Sequence, residues 1–85
     1  MSERVGRTEY WVRDGIRVTY TDTDICFEEI DTADAILIKN DKSIIINNFG
    51  KEKTEYFLNY FSKIYSSVCR LRTMERLGVI DANFH

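Results

Sequence analysis

Proline is missing from this chain altogether, histidine occurs once, and the four glycines (Gly6, Gly15, Gly50 and Gly78) stand far apart. The first absence excludes a proline-rich linker or a polyproline recognition segment. The one histidine, His85, is the last residue, where a chain frays too readily to hold a general base beside a nucleophile. Isolated glycines exclude a glycine-rich phosphate loop. Cys26 and Cys69 are too few and too far apart for a structural zinc site, and their apolar neighbours suggest buried free thiols rather than a disulfide. No hydrophobic run approaches the ~20 residues that span a bilayer, and the opening MSERVGR has no signal-peptide core. The chain is read as cytoplasmic.

Chemistry-bearing patterns are equally scarce. Asp22-x-Asp24 spaces two carboxylates but lacks the glycine and the distal glutamate of a calcium loop. Glu28 and Glu29 point to opposite faces if extended, so they are not a preset acid/base pair. No catalytic residue, metal or cofactor is assigned, and the chain is not expected to be an enzyme.

What the sequence does contain is one long amphipathic stretch, residues 51–77. Phe57, Phe61, Ile64, Val68 and Leu71 recur at spacings of four, three, four and three. Leu58, Tyr65 and Cys69 widen this stripe on one side, and Tyr56 and Tyr60 on the other. The apolar arc spans roughly 220°, against ~100° for a helix resting on a single sheet. At 1.5 Å per residue the helix would be roughly 40 Å long, whereas strands of five or six residues run only ~17–20 Å. From Arg72 onward charged residues enter the arc, so either the helix bends near residues 69–72 or its last turns leave the core. The surplus predicts a homodimer through Tyr56, Tyr60, Tyr65, Met74 and Leu77.

Upstream, period-two patterns predict strands. Residues 9–13 place Tyr10 and Val12 on one face and Trp11 on the other. Asp14-Gly15 signals a type I′ turn, and residues 16–21 alternate with Ile16, Val18 and Tyr20 facing inward. Residues 25–30 are read as a strand, although Glu28, Glu29 and Ile30 would also fit a helical turn. Residues 35–39 and 43–47 form a hairpin whose unbroken Ile and Leu content suggests central strands covered on both faces. The expected fold is α+β: a small antiparallel β-meander of four to five strands packed on one long C-terminal helix. Residues 1–85 are read as a single domain, with 1–8 a flexible arm, 9–47 the sheet, 51–77 the helix and 79–85 a tail.

The net charge of −2 is unevenly spread. Between Arg17 and Lys39 there is no basic residue, while Asp22, Asp24, Glu28, Glu29, Asp31 and Asp34 all lie there. Such a stretch suits a protein partner with a basic surface, including one that normally holds nucleic acid. The helix's distal half is basic through Lys63, Arg70, Arg72 and Arg76, which makes direct phosphate contacts in a nucleic-acid-binding regulator the alternative.

Two resemblances follow from these patterns. The run from Asp14-Gly15-Ile16 through residues 25–30, then 35–47 and the helix, is similar to the end of a bacterial pleckstrin-homology-like domain. That resemblance implies a ligand-binding module, but the strands are too few for its barrel and the helix is too long. In size and composition the chain also resembles small phage-encoded inhibitors of host enzymes or defence systems. The function expected is a non-enzymatic protein-binding module, a small dimeric inhibitor or regulator that blocks a partner's surface through its acidic stretch.

Overall fold

The computed structural model describes residues 6–78. Five strands, β1 (Thr8–Arg13), β2 (Ile16–Tyr20), β3 (Asp24–Glu29), β4 (Ala35–Lys39) and β5 (Ile44–Asn47), precede one helix, α1 (Lys51–Arg76). The strands pair antiparallel in the order β1-β2-β3-β4-β5, a meander in which each strand lies beside its neighbour in sequence. The fold is α+β, as the alternating and helical periods predict. Among the described residues the sheet is open, with β1 and β5 at its edges, and does not close into a barrel.

Turn chemistry sets the registers. Asp14 and Gly15 both take positive φ (53° and 77°), which the β1–β2 turn demands and which glycine adopts without strain. Cross-strand rows then align Val18 with Phe27 and Ile36, and Tyr20 with Ile25 and Ile38. These six side chains are the sheet's contribution to the core. The helix adds Phe57, Phe61, Ile64 and Val68, each buried and spaced as the stripe requires. Phe27 stacks on Phe57 at 5.2 Å between ring centroids, tying the middle of the sheet to the first half of α1.

Several expectations are corrected. Tyr10 and Val12 do not share a face. A bulge between Glu9 and Trp11 inserts one residue, so Trp11 pairs with inward Val18 and Val12 with outward Arg17. Tyr10 and Trp11 therefore both pack against the core, their rings 4.5 Å apart, and Val12 is exposed. Thr19 does face outward, as the alternation predicts, but is buried because Arg7 crosses the outer face. Its Nε donates to Thr19 Oγ1 over 2.9 Å, and its guanidinium meets the Asp24 carboxylate at 2.8 Å. Arg7 is thus docked and Thr8 opens β1; residues 1–5 of the expected arm lie outside the described residues. So does the tail, 79–85.

A further correction concerns β5. It was expected to be central and is instead an edge, because the chain leaves it directly for the helix and no later strand among the described residues pairs with it. Ile44, Ile45 and Ile46 are exposed, between 37% and 59% of their surface. Neither cysteine is in a disulfide, as expected, but each is half-buried rather than buried. Cys26 faces Thr19 and Leu37 on the outer row, away from α1.

The helix is continuous from Lys51 to Arg76, and 26 residues at about 1.5 Å match the 39 Å long axis of the molecule. It stays helical through residues 69–72 and does not leave the core there. Arg72 is 6% exposed and continues the buried stripe four residues after Val68. No helix among the described residues is long and apolar enough to cross a membrane.

Candidate functional site

Strand β1, its turn and the first half of α1 enclose an open groove of about 540 Å³. Ile16 and Ile64 form its apolar floor, Trp11 and Tyr60 one wall, and Tyr56 the outer lip. The bulge in β1 brings Trp11 to the helix, where its Nε1 donates to Tyr60 Oη over 2.7 Å. Arg13 lies two residues on, and its guanidinium carbon sits 3.6 Å from the Trp11 ring centroid. Lys63 reaches the rim from the helix, one turn beyond Asn59. Among the described residues neither Arg13 nor Lys63 forms an ion pair, whereas Arg7, Arg17, Lys53 and Arg76 each face a carboxylate. Arg13, stacked on Trp11, and Lys63 outnumber the one carboxylate of the lining, Asp14, so the groove carries a small positive excess over an apolar floor and suits an anionic group on an apolar stem.

The opposite end of α1 is closed by polar contacts instead. Arg72 Nε donates to the Thr21 carbonyl oxygen over 2.7 Å and Nη2 to that of Asp24 over 3.1 Å. Tyr20 Oη donates to Glu75 Oε2 over 2.7 Å. Burial raises the Tyr20 phenol well above its ordinary pKa, and the Glu75 carboxylate raises it further. Tyr65 stacks on Phe61 at 5.2 Å, and its hydroxyl is raised by its hydrogen bond with Cys69 and by burial.

These contacts redistribute the residues singled out from sequence. Arg72 is enclosed and bonded to turn carbonyls, so it does not face a phosphate. Arg76 reaches Asp22 at 4.0 Å. Lys63 and Arg70, seven residues apart, remain together on one exposed flank. Tyr60 and Tyr65 are half-buried parts of the fold rather than a spare flank. Tyr56 (54% exposed) and Leu77 (71%) are exposed but lie roughly 30 Å apart along the axis. Met74 is half-buried.

The six acidic residues do not gather on one side. The length of β3 separates Asp22 and Asp24 at one end from Asp31 and Asp34 at the other. Asp24 pairs with Arg7, Glu28 with Arg17 at 3.6 Å, and Glu29 with Lys53 at 2.7 Å on the helix side. Asp31 and Asp34 have no ion pair among the described residues.

The free edge of β5 is a second candidate surface. The other edge, β1, is guarded by Glu9, Arg13 and its bulge. In β5 the three isoleucines precede Asn47 with no charge or proline among them, although a register irregularity lies opposite Leu37 and Ile38. Half of that strand's backbone groups have no strand beyond them among the described residues.

Comparison with protein-family models, with curated proteins and with solved structures found no match. The bulge and the buried Arg72 are the two features of these surfaces that sequence reasoning missed. Arg72 carried a signal, since its place on the helical stripe put it in the core arc.

Proposed function

We propose that this chain is a non-enzymatic protein-binding module, an inhibitor or regulator that acts by covering a partner's surface, and that β5 is its docking edge. The observation that carries this reading is the row Ile44, Ile45 and Ile46, exposed on a sheet edge without the charges that β1 carries. An extended segment of a partner would continue the ladder by main-chain hydrogen bonds and lay apolar side chains against Ile44 on one face and Ile46 on the other. Leu37, paired with Ile46, extends the apolar row on the outer face.

The nucleic-acid alternative is weaker, because of its four basic residues Arg72 is enclosed and Arg76 is engaged with Asp22. A pleckstrin-type module is disfavoured by the open sheet. The test is capture of partners by the wild-type chain and by Ile45→Lys, followed by hydrogen exchange on the purified complex. Protection of the amides at 44–47, with loss of the partner in the variant, is the expected result. A partner that the variant retains, or that protects only other amides, would remove β5 from the proposal.

A further inference from the structure

Two surfaces of opposite charge meet at the end of the molecule where α1 begins. One is the groove, where Arg13, stacked on Trp11, and Lys63 outnumber the single carboxylate of the lining, Asp14, above Ile16 and Ile64. The other is the turn between β3 and β4, which carries exposed Ile30, then Asp31 and Asp34. This turn is held in shape. Glu29 N donates to the Asp34 carbonyl oxygen and Ala33 N to that of Glu29, each over 2.8 Å, and Ala33 takes a left-handed φ of 64°. Ile30 N donates to the Gly15 carbonyl oxygen over 2.9 Å, so the turn is anchored to the same hairpin that borders the groove.

We propose that the acidic turn of one copy seats in the groove of a second copy, and reciprocally, giving a closed two-fold dimer. Ile30 meets the apolar floor, while Asp31 and Asp34 face Arg13 and Lys63. Each half supplies what the other lacks, because both carboxylates and both cations are without ion partners within one chain's described residues. The basic protein surface that the acidic stretch calls for is then this chain's own groove. Preorganisation of the turn lowers the ordering cost of association. A stacked nucleobase is a poorer occupant, since Tyr10 at 4.5 Å and Arg13 at 3.6 Å already pack against the Trp11 ring. This contact is separate from the β5 edge and does not rest on it.

Sedimentation of the full chain tests it, with Lys63→Glu, Asp31→Lys and an equimolar mixture of the two. Neither side chain is held by a hydrogen bond or ion pair among the described residues, and far-UV circular dichroism checks that both variants are folded. The wild type is expected to be a dimer that weakens as salt shortens the ~10 Å screening length at 0.1 M. Each variant alone should dissociate about tenfold more readily, because one reversal acts at both symmetric contacts. The mixture should restore the dimer. In the heterodimer the two reversed residues face each other at one contact and the native pair at the other. A wild type that stays monomeric at its highest soluble concentration overturns the proposal. So does a dimer that ignores both reversals, that the mixture fails to restore, or that Ile45→Lys dissolves instead. Quenching of Trp11 by a ten-nucleotide oligothymidylate, bound to a monomer, would assign the groove to nucleic acid and overturn it as well.

Discussion

Arg72 Nε donates to the carbonyl oxygen of Thr21 over 2.7 Å, across a separation of 51 residues. The same guanidinium reaches the Asp24 carbonyl oxygen, so one planar fork satisfies two acceptors of the β2–β3 turn. It lets a helix longer than the strands remain anchored at its far end. Arg72→Ala should lower stability by about 2–4 kcal/mol, since it removes the donor at the Thr21 carbonyl, leaves the Asp24 carbonyl with only the Thr21 N–H, and opens space beneath the turn. Arg72→Lys should recover only part, because a single ammonium does not span both oxygens. Urea unfolding measures both, and an alanine variant with the wild-type midpoint would show that the fork holds nothing.

Tyr20 closes the same end from the sheet side, with its hydroxyl on the Glu75 carboxylate. Its folded pKa is raised by burial first and by Glu75 second. The unfolded phenol ionises near its ordinary value of about 10. Below that pH both states keep the proton and the contribution is fully present. As pH climbs beyond it the unfolded state releases its proton first, so stability falls toward the folded value. Denaturant midpoints taken from about pH 9 to about pH 11 should therefore decline, and Tyr20→Phe should flatten the decline. Equal slopes in the two proteins would show that the Tyr20 proton is not linked to folding.

The main lines of this fold are written in simple periods. The alternation in residues 16–20 and the four-three spacing from Phe57 to Val68 name the faces that meet, and Asp14-Gly15 fixes the first hairpin. Three features follow from the third dimension instead. The bulge at Tyr10 has no glycine or proline to mark it, and it turns Trp11 inward. The edge position of β5 depends on how the strands are ordered, which an Ile-rich run does not specify. Arg72 looked like a fault in the apolar stripe because the acceptors that hold it belong to a turn far away in sequence. The acidic stretch was visible as composition, but only the strand geometry shows that β3 splits it and that Arg7, Arg17 and Lys53 take three of its members.

Trp11 and Tyr60 decide between two roles for the aromatic side of the helix. Tyr60 was expected at a dimer surface, yet its hydroxyl accepts the Trp11 indole proton at 2.7 Å and so ties β1 to α1 within one chain. If that bond matters to the fold, Tyr60→Phe should cost about 1 kcal/mol, because it leaves a half-buried indole N–H without its acceptor. Trp11→Phe should be costlier, since it also removes ring packing. The double variant should lose less than the sum, with a coupling of about 0.5–1.5 kcal/mol in the cycle. Hydrogen exchange should quicken in β1 while β3 and β4, paired on both sides, stay protected. A surface role gives the reverse pattern: no coupling in unfolding, and a change in oligomeric state when the Tyr60 hydroxyl is removed. Measuring unfolding and sedimentation on the same three variants separates the two roles, and the bond's place between β1 and α1 of one chain favours the first.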